Sequence, residues 1–153
     1  ALASLEETVL SIELLLGVKT GINLKGLCDY CKFVEEKCGI KISASKAVIG
    51  EHLFHYESDY EVAAHLRSKR AENLKPINPE IIGRKGSVVW GINTLIGDSI
   101  KAKLEEMNLK YTTEDIDRIR NKIKERLDKI KTYPVWLKEP EVEKICRDIM
   151  GKE

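Results

Sequence analysis

Apolar residues recur at helical spacing in six stretches of the chain. The clearest covers about 113–131, where Ile116, Ile119, Ile123, Leu127 and Ile130 step by 3, 4, 4 and 3. Thr112 is placed to cap it with Asp115 at the third position, and its other face alternates Arg, Lys, Glu and Asp, the pattern of a solvated face with short-range ion pairs. Residues 4–16 predict a helix with a Ser4–Glu7 capping box, a face of Leu5, Val9, Ile12 and Leu16, and a stop at Gly17. Its end, Leu14-Leu15-Leu16, is unusually apolar and predicts packing against something larger than its short neighbours. Further helices are expected over about 24–38, stopped by Gly39, over 60–70, and over 95–107, ending near Asn108. A last one, 140–150, has Pro140 in its first turn, a stripe of Val142, Ile145 and Ile149, and Gly151 as its stop.

Ser87-Val-Val-Trp90 is the one convincing strand signal. Residues 19–23 read as a turn and 40–60 as irregular; Pro76 and Pro79 bracket a loop, a short turn is expected at 80–82, and Tyr133-Pro134 breaks the chain. The expected fold class is mainly α with one or two short β-strands.

Composition narrows the function classes. The 153 residues carry 26 Lys plus Arg against 25 Asp plus Glu, so no cationic surface for nucleic acid is expected. Hydrophobic residues make 42 %, enough for a packed core, yet no apolar run approaches the roughly 20 residues of a membrane span. Glu6 and Glu7 stand where a secretory signal would be basic, so a cytoplasmic location is expected. Cys28 and Cys31 form a CxxC, which suits zinc or thiol chemistry. Cys28, Cys31 and Cys38 also step by 3 and 7 beside Leu24, Leu27 and Val34, the inner stripe of one helix, and small buried hydrophobes in a reducing compartment are the expected reading.

All three histidines, His52, His55 and His65, lie within fourteen residues, among Glu51, Tyr56, Glu57, Ser58, Asp59 and Tyr60. Such a cluster suits proton transfer or metal binding, or a purely structural loop. Gly83-Arg84-Lys85-Gly86 places two cations in a glycine-flanked turn, suited to a phosphate such as that of coenzyme A. Trp90 is expected in the core and Trp136 as a packing anchor for the last helix. No P-loop, nucleophile elbow or dinucleotide fingerprint is present.

Five pieces fall in an order that resembles a known family. They are Ser4-Leu-Glu-Glu-Thr, Gly17-Val-Lys-Thr-Gly-Ile-Asn23, Lys46-Ala-Val-Ile-Gly-Glu51, Pro76-Ile-Asn-Pro-Glu80 with Gly83-Arg84, and Ile100-Lys-Ala-Lys-Leu-Glu-Glu106. The chain resembles the part of homocitrate synthase and 2-isopropylmalate synthase that follows the catalytic (β/α)8 barrel. The resemblance implies a Claisen-type acyltransferase condensing acetyl-CoA with a 2-oxo acid. No cofactor is expected in this chain; a divalent metal sits in the barrel and acetyl-CoA is the substrate. It also implies helical linker subdomains detached from that barrel: 1–20 as the barrel's last helix plus a turn, 21–75 as a first linker subdomain with a loop covering the active site, and 76–153 as a second.

The implied partner is a TIM-barrel catalytic chain or domain, in a homo- or hetero-oligomer such as a dimer. The chain lacks the leucine-binding domain of isopropylmalate synthases, which favours homocitrate synthase, whose nitrogen-fixation branch has a separate omega chain of this kind. The family reads approximately Gly-Glu-Asn-Ala-Phe-Ala-His-Glu-Ser-Gly-Ile-His where this chain runs Gly50 to Glu61. Tyr56 stands for the first histidine, Asp59 for the glycine and Glu61 for the second histidine, and Leu74 stands for a family tyrosine. The implied catalytic residues are His55, Tyr56, Glu57 and Ser58, with His52, Arg84 and Lys85 binding substrate and no metal ligand. The rival readings are a Re-type citrate synthase or 2-isopropylmalate synthase with the same region, a non-catalytic regulatory or assembly subunit, and a metal or thiol protein built on the CxxC.

Overall fold

The computed structural model describes residues 2–68 and 77–151. Its elements in chain order are α1 (Leu5–Leu10), α2 (Leu27–Cys38), β1 (His55–Tyr56), α3 (Asp59–Ser68), β2 (Ser87–Trp90), α4 (Asp98–Glu106), α5 (Thr113–Leu127), β3 (Leu137–Lys138) and α6 (Glu139–Met150). The mainly helical class expected from the sequence is what forms. Two of the strands are two-residue ladders that no local pattern marks. The chain divides into two compact units, Ala1–Phe54 with Ile77–Gly86, and His55–Pro76 with Ser87–Glu153. They interleave in sequence, whereas the resemblance suggested consecutive segments. Leu74, Pro76 and the last two residues of the expected 60–70 helix lie outside the described residues.

In the first unit, α1 passes directly into a π-helix over Ser11–Leu15. The expected capping box does not form: the Ser4 hydroxyl caps no backbone N–H of the helix and instead accepts from the Lys46 ammonium at 2.9 Å. Lys46 also pairs with Glu6 at 3.2 Å and with Glu7. The Lys46 ammonium, followed by the Ser4 hydroxyl, holds the Glu7 carboxyl below its usual range. A cation 42 residues away has replaced a local cap. Leu15, at the end of the π-helix, and Leu16 and Val18 beyond it remain exposed.

Helix α2 is preceded by a 3-10 turn at Leu24–Gly26 and closed by Gly39 in the left-handed region, as expected. Only its first turns are covered. Leu27, Cys28 and Cys31 are buried, while Val34 and Cys38 are exposed, so the expected inner stripe stops short of its last cysteine. The small core of this unit gathers Leu10, Cys28, Val48, Phe54 and Ile82.

The second unit packs α3 to α6 around a sheet of order β1-β2-β3. Strand β1 runs parallel to β2, with His55 opposite Ser87 and Tyr56 opposite Val88. Strand β3 runs antiparallel to β2, with Trp90 opposite Leu137. Trp90, Tyr56, Ile100, Leu104, Ile119, Ile123 and Val142 are fully buried together. Thr112 and Asp115 form the expected reciprocal cap of α5. That helix ends at Leu127 rather than 131 because Lys129 and Ile130 donate three residues back and tighten the chain into a turn. Helix α4 begins at Asp98 rather than 95, after a 3-10 turn at Ile92–Thr94 and Gly97 at φ 127°.

One buried cation ties α4 to α6. Lys103, 1 % exposed, donates to Glu106 at 2.8 Å, Glu139 at 2.6 Å and Glu143 at 2.8 Å. Burial pulls its pKa down, and the hydrogen bonds to Glu106, Glu139 and Glu143 outweigh that, leaving it raised. The contribution is therefore complete below the unfolded lysine value of about 10.4 and fades only as the pH rises through the higher folded value. Lys103→Met strands three carboxylates around an apolar side chain. It is expected to lower unfolding free energy by about 3 kcal/mol in urea titrations. The loss should be equal at about pH 7 and about pH 9, because Lys103 stays charged across that window.

Candidate functional site

The densest group of reactive side chains is sorted by a two-residue strand. Successive side chains of a strand point to opposite faces. In β1 this sends Tyr56 inward, where it is fully buried and stacks on His65 with ring centroids 4.8 Å apart. His55 goes the other way. It is half-buried, and its ring meets the Trp136 ring edge-on at 5.0 Å and 88°.

The next three residues divide in role. Glu57 is half-buried and lines a hollow of about 320 Å3 with Ile92, Asp128, Tyr133 and Trp136. Ser58 starts α3. Its carbonyl accepts from Val62 N–H at 2.9 Å, and its hydroxyl accepts from Glu61 N–H at 3.3 Å and lies 3.2 Å from the Glu61 carboxylate. Ser58 is thus the N-cap of α3. Asp59 is buried and caps a different helix: its carboxylate accepts from the N–H groups of Gly97 at 3.2 Å, Asp98 at 3.1 Å and Ser99 at 3.0 Å at the start of α4.

His55 thus packs on Trp136 and Glu57 lines a hollow with it, while Tyr56 serves the core and Ser58 a helix end. The Tyr56 phenol is fully enclosed against His65. Trp136 was expected only as an anchor for the last helix. Its partnership with His55 depends on the pairing of β3 with β2, which no local pattern signals.

The other three candidates belong to the first unit. His52 is half-buried in a 3-10 turn at Glu51–Phe54, with its N–H donating to the Ala44 carbonyl at 2.9 Å. Arg84 spends its guanidinium on main chain: it donates to the carbonyls of Gly50 at 2.6 Å, Glu51 at 2.9 Å and Ile49 at 3.4 Å, and lies 5.1 Å over the Phe54 ring. The turn that presents it needs glycine at 83, where φ is 71° and a Cβ would stand 2.6 Å from the Lys25 carbonyl oxygen. A hollow of about 460 Å3 beside Arg84 is lined by Lys25 and Lys32 but equally by Asp29, Glu35 and Glu51, so opposite charges balance there. Lys85 is exposed.

Among the described residues no three His, Cys, Asp or Glu side chains are grouped to hold a metal ion. The four cysteines are free. Burial pushes the Cys28 and Cys31 thiols up and Cys146 up to about 11, so they stay protonated and unreactive near neutral pH. Among the described residues no helix is long and apolar enough to cross a membrane.

Comparison with known proteins places relatives along nearly the whole chain. It is 33 % identical over 154 residues to a 2-isopropylmalate synthase of Methanocaldococcus jannaschii, covering 98 % of this chain and 28 % of that protein. It is 31 % identical over 148 residues to a homocitrate synthase of Methanopyrus kandleri, covering 97 % of this chain and 36 % of the relative. An (R)-citramalate synthase of Methanocaldococcus jannaschii matches at 27 % over 150 residues, or 29 % of its length. The chain therefore spans about a third or less of the length of these curated relatives. No family model matches it.

Arg84 generates a prediction about the first unit. Arg84→Met removes a charged donor from three carbonyls, and urea unfolding should show a loss of about 2 kcal/mol. Arg84→Lys should recover less than half of it, because a single ammonium does not reproduce the planar fork.

Proposed function

For a chain that belongs to the family of 2-isopropylmalate, homocitrate and citramalate synthases, we propose that it supplies the region completing and covering the active site of a catalytic (β/α)8 barrel, on the same polypeptide or a partner. The observation that carries this reading is the match to such synthases over 97–98 % of the chain, at about a third or less of their length. The reaction is condensation of acetyl-CoA with a 2-oxo acid, of the homocitrate synthase type. A carbon–carbon bond forms between the acyl methyl carbon and the oxo carbon. One proton leaves the methyl group, another reaches the new alkoxide, and water then releases free CoA. The divalent metal belongs to the barrel.

Within that reading His55 is the proton-handling group. Its type has an unperturbed pKa of about 6.5, suited to giving and taking protons near neutrality, whereas a tyrosine near 10 is not. Glu57, which lines the hollow beside Trp136, accepts hydrogen bonds from the substrate. Closing this segment over the barrel excludes water from the enolate. Lys85, the exposed cation of the Gly83–Gly86 turn, and His52 are left to meet the polar parts of the acyl-CoA.

A second reading has support of its own: a regulatory or assembly subunit without chemistry. Tyr56 lies in the core and Ser58 caps α3, so two of the four candidate catalytic side chains are spent on structure.

A reconstitution assay separates the two. The chain is mixed with the barrel-bearing chain from the same source, a divalent metal, acetyl-CoA and, in turn, 2-oxoglutarate, oxaloacetate, 2-oxoisovalerate or pyruvate, and free CoA thiol is followed. Release requiring both chains is expected, and the preferred acid names the product. His55→Ala should lower turnover about a hundredfold with little change in melting temperature. Undiminished turnover in that variant would establish the scaffold reading instead.

A further inference from the structure

His55 and Trp136 meet across a strand that lies between them. His55 is on β1 and Trp136 immediately precedes β3, and the sheet order places β2 in the middle. Their rings nevertheless touch, with centroids 5.0 Å apart and planes at 88°. That is the edge-to-face arrangement aromatic rings prefer, within the usual range of about 4.5–7 Å. Both side chains are half-buried, so the contact is neither sealed in the core nor loose on the surface.

A strand fixes less of a histidine side chain than it fixes of its backbone. The pairing of His55 with Ser87 sets where the side chain leaves the chain. It does not set the plane of the imidazole, because the torsion that turns the ring is broad and roughly two-fold. A second ring packed at right angles narrows that torsion, since turning the imidazole gives up the edge-to-face contact.

Trp136 is carried on a fixed backbone. Leu137, the next residue, is buried and pairs with Trp90 in β2, and Lys138 pairs with Val89. The Tyr133 ring also lies 6.3 Å from the indole, at 63°. Tyr133, Trp136 and His55 thus run in series, from an exposed phenol to the imidazole, with the indole touching both. Burial of Leu137 already anchors the start of α6, so anchoring does not account for the place of the indole on His55.

We propose that Trp136 is a positioning residue for His55: its indole holds the imidazole plane in the orientation in which that ring gives and takes a proton. The inference rests on the functional reading above for its effect on turnover, and on the ring contact alone for the positioning. A proton passes only over hydrogen-bond distance and along a defined direction, so a ring free to turn spends less time in the productive orientation. Trp136 itself meets no reacting atom and acts through His55.

Two measurements test it on the full chain. The first needs no activity. The carbon-bound protons of the His55 ring are recorded by NMR and assigned by their loss in His55→Ala. The ring current of the indole should displace them from free-histidine positions. They should reach those positions in Trp136→Leu and move only part of the way in Trp136→Phe, which keeps a smaller ring. The indole N–H of Trp90, the other tryptophan and fully buried, reports whether each variant is folded. If Trp136→Leu does not fold, Trp136→Phe alone is read. His55 resonances that stay in place in every folded variant overturn the proposal.

The second measurement is turnover with the barrel-bearing chain, acetyl-CoA and the preferred 2-oxo acid. Trp136→Leu should lower kcat about tenfold with the KM for acetyl-CoA within about twofold, and Trp136→Phe should recover most of the loss. In a His55→Ala background Trp136→Leu should cost nothing more, because both changes act on one group. Losses that multiply, or a KM that rises with kcat unchanged, would mean that the indole meets the substrate itself and would overturn the proposal. Full turnover in His55→Ala ends the functional reading and the catalytic use of the contact together, even where the resonances move. Unmoved resonances with turnover lost in His55→Ala end the positioning alone.

Discussion

The second unit depends on a carboxylate that caps a helix from outside it. Helix α4 has no side-chain cap of its own, since the residue before it is Gly97. Its first N–H groups have no partner within the helix and carry the positive end of its dipole. Asp59 supplies three acceptor contacts and a negative charge at that point, from the first residue of α3. A local cap fixes only one helix. This one fixes the start of α3 to the start of α4, and with it the direction of the 55–58 segment leading into α3. The apolar packing of Val62, Leu66, Ile100 and Leu104 then closes over a geometry already set at one end. At the outer end Arg67 reaches from α3 to Asp98 and Glu105 on α4, but those pairs are exposed and contribute little by comparison.

The fold was legible where its causes are local. Helix α5 shows both its stripe and its reciprocal cap in the sequence, and α6 shows its early proline and closing glycine. What was not legible comes from residues far apart in the chain. Strands β1 and β3 are too short for any period to show; they exist because β2 offers two edges. The Ser4–Glu7 box satisfies every sequence rule and is overridden by Lys46, a stronger partner for both side chains. Cys38 sits at the right helical phase but beyond the point where anything covers α2. Periodicity predicts a face, and only the tertiary structure decides how far along it the cover extends.

The departures from the family pattern acquire a physical meaning in the same way. Asp59 stands where the family has glycine and Glu61 where it has histidine. Read as chemistry, both are losses. In the folded chain Asp59 caps α4, and the Glu61 carboxylate lies 3.2 Å from the Ser58 hydroxyl that caps α3.

The sequence left both His55 and Tyr56 open as the proton-handling group, with the histidine better matched by its residue type's pKa. The alternation of β1 sends the two side chains to opposite sides. One residue of the pair must enter the core of the second unit, and the larger, more apolar side chain is the one that does so at least cost, because a buried phenyl ring gains more from leaving water than an imidazole. Placing Tyr56 inside therefore forces His55 outward, onto the Trp136 ring. The selection between a tyrosine and a histidine is made by packing, two residues before the carboxylate that caps α4.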